Sequence, residues 1–333
     1  MTTTTAARAR TAASLLALSL LAGTTLGAQR TYSSLTMFGD SFSDVGNAQQ
    51  LAPGFGIPAR FSNGPIWADR LGSLLGRSAD VTPAVLTNAP TGVYAIGSAL
   101  TGFTGAGTGA QVALWCQAMG GTCTRGANPT GLYTLFAGAN DLRAAASLGT
   151  DMQRRAATVS AAQNLIVQGA GLTSVGARSV LFAYLPDLGL TPDRRGTAAS
   201  PILSDLTRLF NATLETGISQ LRIGAPTVSF FDLRLDNLFA NLLANPAANG
   251  FSDVTTPCIA AGASPACTGY AFWDGLHPTS AAHMAVGNAA YNLVAFNRNV
   301  ALVPEPSTIV LMGSGLVALF GVARRRSGRR DAA

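Results

Sequence analysis

Short apolar runs alternate along the chain with longer stretches in which apolar residues recur every three or four positions. The short runs are bounded by Gly, Pro, Asn and Asp, a pattern that is typical of buried strands. The predicted strands are a run containing Leu35, Met37 and Phe38, followed by residues 93–96, 132–137, 179–184, 227–231 and 270–273.

The longer stretches predict helices. One helix is expected to have Pro65 at its first position and Leu71, Leu74 and Leu75 on one face. Further helices are predicted over residues 111–119, 152–169, 203–221 and 280–296, the last capped by Thr279 or Ser280. The glycine-rich run 97–109 is predicted to be irregular. About five strands alternating with helices predict one α/β domain with a doubly wound, mainly parallel sheet and helices on both faces.

Polar residues follow the first predicted strand and stand again in a late loop. Ser41 comes just after the first strand, and its hydroxyl becomes a nucleophile only when a neighbouring base takes its proton. His277 is the candidate base, and Asp274, three residues earlier, is the candidate carboxylate that orients its ring. The three side chains together predict nucleophilic catalysis.

A tetrahedral intermediate on Ser41 would need hydrogen-bond donors for its oxyanion. The candidates are the backbone N–H groups of Ser41, Gly97 and Ser98 and the side-chain amide of Asn140. Each residue also has an ordinary explanation, because Gly-Asp-Ser and Asn-Asp pairs often form turns and His-Pro often begins a helix. The combination of all these residues favours the catalytic interpretation.

The amino-acid composition excludes several catalytic mechanisms. The chain has no lysine, which excludes a Schiff base, a P-loop lysine and a Ser-Lys dyad. It has only two histidines, His277 and His283, so few side chains can act as a general base. The absence of Gly-x-Ser-x-Gly argues against the nucleophile elbow of an α/β-hydrolase.

At these residues the chain resembles the GDSL-type SGNH hydrolases, a family of lipolytic esterases. The resemblance covers about residues 33–298 and rests on five blocks: 39–47, 60–67, 138–141, 185–189 and 274–277. It implies a flavodoxin-like three-layer α/β/α sandwich, an ester substrate, and no metal or organic cofactor. Residues 94–99 depart from the family pattern, because Ser98 occupies the position of an oxyanion-hole glycine. If that turn needs a positive φ, we expect Ser98 to be strained.

The net charge of +6 comes mostly from the two ends of the chain. Without the arginines and acids of the ends, 15 arginines face 14 acids, and no basic patch for nucleic acid is visible. Residues 1–28 have the pattern of a secretory signal: Arg8 and Arg10, an apolar core, and small residues near Ala28. A buried N-terminal helix is the alternative interpretation.

Residues 303–333 resemble a PEP-CTERM sorting signal of Gram-negative bacteria. A Val-Pro-Glu-Pro motif precedes the apolar run 309–323, and Arg324 to Arg326 follow it. The resemblance implies export through the inner membrane, transient membrane association and recognition by an exosortase, with the protein reaching the cell envelope or the exterior. A plain C-terminal membrane anchor is the alternative. The hydrolase domain is then expected over residues 29–302.

Four cysteines fit an exported protein. Cys116 and Cys123 lie seven residues apart and Cys258 and Cys267 nine apart, which favours two local disulfides, although three pairings are formally open. A zinc site is the competing hypothesis, weakened by the absence of a Cys-x-x-Cys pair.

The function that these patterns predict is an exported serine ester hydrolase. Its substrate is left open among lipid esters, acetylated polysaccharide and small soluble esters. Two rival hypotheses remain: an acyltransferase that uses the same acyl-enzyme, and a surface-attached carbohydrate- or lipid-binding protein with a weakened site.

Overall fold

The computed structural model describes residues 29–298, and these form a central sheet of five parallel strands. In chain order the strands are β1 (Leu35–Gly39), β2 (Gly92–Val93), β3 (Leu132–Phe136), β4 (Ser179–Tyr184) and β5 (Ser229–Arg234). Their spatial order is β2-β1-β3-β4-β5, so the chain crosses over beside β1. All pairs are parallel, which confirms the predicted doubly wound architecture.

Eight α-helices connect the strands within the described residues. They are α1 (Asn47–Leu51), α2 (Trp67–Leu74), α3 (Thr108–Ala118), α4 (Ala139–Ala145), α5 (Asp151–Ser174), α6 (Ala199–Gly224), α7 (Leu235–Ala244) and α8 (Ser280–Phe296). Helix α2 packs against α8, and α5 packs against both α3 and α6. These two groups of helices form the outer layers of a three-layer sandwich.

The central strands are buried on both faces, as a sheet covered by two helix layers requires. Every residue of β1 and β3 is buried, and Gly39 pairs with Phe136 where the two strands end. A Cβ atom added to Gly39 would lie 2.5 Å from the carbonyl oxygen of Phe136. Glycine is therefore required at the point where the chain leaves β1 and turns toward Ser41.

Several predicted boundaries differ from the observed ones. The last predicted strand, 270–273, appears as β7 (Tyr270–Phe272), but it lies outside the main sheet and pairs in parallel with β6 (Asp253–Pro257), a segment for which no strand was predicted. Helix α2 begins at Trp67, so Pro65 precedes it instead of starting it. Helix α3 begins at Thr108, inside the run predicted to be irregular.

Three helices were not predicted: α1, α4 and α7. Helices α1 and α4 have five and seven residues, which is too short to show a helical period. Helix α7 does have apolar residues at helical spacing, Leu235, Leu238, Phe239 and Leu242, a signal that the prediction above does not use. Helices α1 and α4 both start after a glycine with φ of 123°, Gly46 and Gly138 respectively. That conformation is open to glycine and unfavourable for other residues. The glycines of two predicted site motifs thus start helices.

Both predicted local disulfides are present, Cys116–Cys123 and Cys258–Cys267. The residues that the structure describes contain no group of side chains suited to a metal ion, and no helix among them is long and apolar enough to cross a membrane. The predicted signal peptide and sorting signal lie outside residues 29–298.

Candidate active site

The structure brings Ser41, His277 and Asp274 into one hydrogen-bonded chain. The Oγ atom of Ser41 lies 2.8 Å from Nε2 of His277, although the two residues are 236 positions apart in sequence. On the other side of the ring, Nδ1 of His277 lies 2.7 Å from Oδ2 of Asp274. This arrangement holds one ring nitrogen toward a carboxylate and leaves the other for the serine proton.

Asp274 is held in place by its own loop. Its Oδ1 atom accepts hydrogen bonds from the backbone N–H groups of Leu276, at 2.8 Å, and His277, at 2.6 Å. Burial by itself would raise the pKa of Asp274, but the His277 ring and these two N–H groups outweigh it and hold that pKa below its usual value. Asp274 is therefore an anion fixed against the imidazole at neutral pH.

The loop that carries Ser41 is organised by the buried carboxylate of Asp44. Oδ1 accepts hydrogen bonds from the N–H groups of Gly46 and Asn47, and Oδ2 from those of Ala48 and Gly97. Asp44 thereby satisfies the first turn of α1 and ties it to the turn after β2. Burial raises the pKa of Asp44 in spite of these four bonds.

Two buried amide side chains complete this loop. Asn47 donates to the carbonyl oxygens of Val93 and Ala95, at 2.7 and 2.9 Å. Gln111, from α3, accepts from the N–H of Gly39 and donates to its carbonyl oxygen, at 2.9 and 2.8 Å. Asn47 thus satisfies carbonyl oxygens beside the end of β1, and Gln111 bonds both backbone groups of Gly39 itself.

The loop that carries His277 is held from the other end of the chain. Ser62 donates to the carbonyl oxygen of Pro278 at 3.0 Å, and Asn63 accepts from the N–H of Ser280 at 2.8 Å. The ring of Phe61 lies against the His277 ring, with 5.2 Å between centroids. Segment 60–67, one of the blocks that carry the family resemblance, thus supports the loop of His277.

The β6–β7 sheet and the second disulfide support the same loop. The N–H of Trp273 donates to the carbonyl oxygen of His277 at 2.8 Å, which closes the turn around Asp274. The N–H of Cys258 donates to the carbonyl oxygen of Phe272 at 2.9 Å, and Cys258 is bonded to Cys267. The disulfide loop is therefore joined directly to the strand that leads into the Asp274 turn.

The predicted oxyanion donors differ in availability. The N–H groups of Ser41 and Ser98 have no acceptor within the described residues, and Asn140 uses one amide hydrogen on the carbonyl oxygen of Ala99, at 3.0 Å, leaving the other. The structure corrects the prediction for Gly97, because its N–H donates to Asp44 at 2.7 Å and is not available to a ligand.

Ser98 has φ of 65°, so the turn does need the left-handed conformation that was expected to strain a serine. The side chain of Ser98 is exposed. The carbonyl oxygen of the next residue, Ala99, accepts a hydrogen bond from the side chain of Asn140. Asp141, next to Asn140, accepts hydrogen bonds from the N–H and hydroxyl of Thr101. The Asn140-Asp141 pair therefore holds the segment 99–101 in place.

A cavity of about 150 Å³ adjoins Ser41 and His277. Most of its wall is apolar and includes Phe42, Phe136, Leu185, Leu188, Phe239 and Phe272. Asp40 also lines it; burial raises the pKa of Asp40 to about 7, against the opposing N–H of Phe42 and charge of His277. The position next to the nucleophile therefore carries a carboxyl that is largely neutral at mildly acidic pH.

His283 lies on α8 away from the Ser41 hydroxyl. It is completely buried, its ring packs against Phe42 at 4.6 Å, and neither ring nitrogen has a hydrogen-bond partner in the described residues. Burial, with a smaller effect of His277, lowers the pKa of His283 to about 3. His283 is thus a neutral core side chain.

Asp44, Asn47, Gln111, Phe61 and Ser62 have no role among the predictions from sequence. Asp44 and Asn47 stand within the block around Ser41, and their polarity next to a buried strand was a usable signal. Gln111 lies far from Ser41 in sequence, and nothing in its neighbourhood marks it as a partner of Gly39.

Comparisons with known proteins agree with this geometry. Residues 35–290 match the GDSL-like Lipase/Acylhydrolase family, and residues 302–327 match the PEP-CTERM protein-sorting motif. Esterase EstA of Pseudomonas aeruginosa is 28% identical over 323 residues, covering 82% of this chain and 48% of that protein. A phosphatidylcholine-sterol acyltransferase of Aeromonas hydrophila is 26% identical over 326 residues, covering 79% of this chain and 90% of that protein.

Among solved structures, a catalytic mutant of an acetylxylan esterase from Geobacillus stearothermophilus matches with a TM-score of 0.43 and 13% identity, covering 84% of this chain and 100% of that one. The chain spans about half the length of the EstA esterases that it matches. The match over residues 35–290 includes Ser41, Asn140, Asp274 and His277. The chain therefore belongs to the GDSL-like lipase/acylhydrolase family.

Proposed function

We propose that this protein is a serine ester hydrolase that cleaves carboxylic esters through an acyl-enzyme on Ser41. The observation that carries the proposal is the hydrogen-bonded chain from Ser41 Oγ through His277 to Asp274, with distances of 2.8 and 2.7 Å. These distances lie within the range in which a base can take a proton from a nucleophile. The apolar cavity beside Ser41 supplies space for the ester.

The reaction has two halves. Ser41 Oγ attacks the ester carbonyl while His277 Nε2 takes the hydroxyl proton, and the resulting imidazolium is stabilised by Asp274. The intermediate collapses as His277 gives that proton to the alcohol oxygen, which leaves the acyl group on Ser41. His277 then takes a proton from a water molecule, whose oxygen attacks the acyl-enzyme. As the bond from the acyl carbon to Ser41 Oγ breaks, His277 returns that proton to Oγ and the acid departs. The chain supplies every proton carrier, and the proposed steps call for no cofactor.

For the oxyanion we propose three donors: the N–H of Ser41, the N–H of Ser98 and the side-chain amide of Asn140. Their support is that each has a hydrogen without an acceptor in the described residues. Removal of one such donor costs about 100- to 1000-fold in rate in serine hydrolases.

Acyl transfer to an alcohol is the second candidate. It shares the acyl-enzyme and differs only in the acceptor, and the match to an acyltransferase over 90% of that protein favours it. The third candidate, a binding protein with a weakened site, is favoured only by the positive φ of Ser98.

We propose further that residues 1–28 direct export, that 29–302 form the hydrolase domain, and that 303–333 are recognised by an exosortase during transient membrane association. The support is the sorting motif at residues 302–327 and the two disulfides, which persist in oxidising compartments. Truncation after Leu302 in a Gram-negative host should move the protein away from the cell envelope, as fractionation would show. Unchanged location after truncation would contradict the proposal.

The test of the catalytic proposal is Ser41→Ala in the purified full-length chain, with Ser219→Ala as control. Ser219 is exposed on α6 and contacts only its own helix. We expect Ser41→Ala to lose both p-nitrophenyl ester hydrolysis and labelling by a fluorophosphonate probe, because both need the activated hydroxyl. Ser219→Ala should keep both. Wild-type turnover by folded Ser41→Ala would refute the assignment, and added alcohols would reveal acyl transfer as a new ester product.

A further inference from the structure

The cavity beside Ser41 is built from the ends of several elements. Its wall comes from residues 136–140 after β3, 185–191 after β4, 236–243 in α7 and 272–278 around the histidine. Leu185, Leu188 and Phe239 are almost completely buried, whereas Leu243 on α7 is half-buried. The cavity is thus a structural part of the domain, closed by aliphatic and aromatic side chains.

Apart from Asp40, Asn140 and the catalytic Ser41 and His277, the polar side chains in the wall already have partners. Asp187 accepts from the N–H of Gly189 and the hydroxyl of Ser204, and Asp236 forms an ion pair with Arg234 at 2.6 Å. A sugar needs polar groups that are directed at its hydroxyls and available to them. An apolar chain needs only the hydrocarbon surface that dominates this wall. The chemistry of the wall therefore favours an aliphatic group.

The two parts of an ester have different requirements at this site. The alcohol must leave, and water must reach the carbonyl carbon, before the acyl group departs. The acyl group stays bonded to Ser41 through both steps, so it is the part that gains from a binding cavity next to the Ser41 hydroxyl. The cavity therefore suits the acyl chain better than the alcohol.

The volume of the cavity indicates how long an acyl chain it can hold. An engineered cavity of about 150 Å³ lined by Leu, Ile and Phe holds a benzene molecule, which has six carbons. The cavity of this protein has the same volume, about 150 Å³, and a similar lining. We propose that it binds the acyl chain of the substrate, that it selects chains of about six carbons, and that Leu243 limits the length. This inference rests on the proposed ester hydrolysis.

The experiment measures kcat/KM of the full-length protein on p-nitrophenyl esters from acetyl to palmitoyl. We expect a rise of about fourfold with each methylene as far as hexanoyl, a maximum at hexanoyl or octanoyl, and a decline beyond it. Ethyl to octyl alcohols on a fixed hexanoyl group form the second series, and we expect that series to be nearly flat.

Substitutions of Leu243 test the length limit in both directions. Leu243→Trp should lower hexanoyl turnover at least tenfold while sparing acetyl, and Leu243→Ala should move the maximum to a longer chain by about three carbons, the number that the substitution removes. Leu242→Ala is the matched control, because Leu242 is fully buried on the same helix but does not line the cavity. It should lower thermal stability without moving the maximum.

The outcomes separate this inference from the proposed function. A maximum at acetyl that neither Leu243 variant changes would overturn the inference while leaving the hydrolase intact. A cut-off in the alcohol series instead of the acyl series would assign the cavity to the alcohol and also overturn it. Labelling of Ser41 by methyl and hexyl fluorophosphonates measures chain preference without turnover: equal rates would contradict the inference, and no labelling would contradict the proposed function itself.

Discussion

The loop that carries Ser41 and the loop that carries His277 each place a carboxyl group beside the site, and the two groups respond in opposite ways. Burial raises the pKa of Asp40 to about 7, although the N–H of Phe42 donates to its side chain. The pKa of Asp274 is lowered, because Asp274 is only partly buried and His277 and two backbone N–H groups outweigh that burial. The depth of burial and the direct contact with His277 thus decide which carboxylate is the anion.

The two loops also differ in what fixes them. The Ser41 loop is held by buried side chains of the surrounding sheet region, above all Asp44 and Gln111. The His277 loop is held by partners more than 200 residues away, Ser62 and Asn63. The nucleophile is therefore part of the sheet's own framework, whereas the position of the base depends on long-range contacts near the surface.

The largest expected effect comes from substituting the two histidines one at a time. His277→Ala should reduce kcat by about 1000-fold or more, because no other described base reaches Ser41. His283→Ala should keep most of the activity per folded molecule and lower the thermal midpoint, since it leaves a cavity against Phe42. Activity assays and thermal unfolding on both variants provide the check, and an inactive but folded His283→Ala would reverse the assignment.

Asp40 and Asp274 should change the stability of the protein with pH in opposite directions. Because the folded-state pKa of Asp40 lies above its unfolded value, the folded chain keeps a proton that the unfolded chain loses, so stability falls as pH rises from about 4 to about 7. Asp274 acts oppositely: its contribution is present above pH about 4 and is lost below it.

Asp40→Asn should therefore remove part of that fall, because asparagine keeps an acceptor for the N–H of Phe42 and carries no charge. We expect its free energy of unfolding at pH 8, relative to wild type, to exceed the same difference at pH 5 by a few (~1–4) kcal/mol. Urea unfolding at the two pH values measures this difference. Asp274→Asn is the control and should show no such gain; an equal gain there would contradict the contrast.

A smaller effect is expected from loosening the support of His277. Asn63→Ala removes the acceptor for Ser280 N–H and two donors to the carbonyls of Pro265 and Ala266. We expect kcat to fall by about fivefold, as for a net loss near 1 kcal/mol of positioning hydrogen bonds, with the Ser41 loop unchanged. Steady-state kinetics of Asn63→Ala and of Asn63→Asp, which keeps the acceptor, would show it. Wild-type kcat in both variants would mean that β7 and the disulfide suffice.

The smallest effect concerns Ser98. Replacement by glycine should relieve about 1 kcal/mol of backbone strain at φ of 65° and keep the N–H donor. We expect a higher thermal midpoint and a kcat within a few-fold of wild type. Ser98→Ala, which keeps the Cβ atom, should show no stabilisation. A loss of stability in Ser98→Gly would show that the exposed hydroxyl matters more than the backbone conformation.

Sequence patterns predict the Ser41 region better than the His277 region. The strand before Ser41 is a buried apolar run, and strands β3 and β4 of the same sheet are equally recognisable because their runs are mostly hydrophobic and buried. The segment before His277 belongs to a two-stranded sheet whose partner β6, Asp253–Pro257, is polar and only partly buried. A strand without an apolar face has no periodicity to detect.

The error at Gly97 has a comparable origin. The glycine-rich turn suggested several free N–H donors, and sequence alone cannot reveal that Asp44, 53 positions earlier, accepts the hydrogen bond from one of them. Helices α1 and α4 were missed because they begin directly at glycine-containing site motifs, where turn residues dominate the local signal.

The separation of 236 residues between Ser41 and His277 has a consequence for the time at which the site exists. A ribosome adds about 5 to 20 residues per second, so the histidine is made roughly 10 to 50 seconds after the serine. During that interval the nascent chain carries a serine without its base. We expect ester cleavage to begin only after the last helix has been synthesised and docked, so an incomplete chain should be inert toward esters in the cell that makes it.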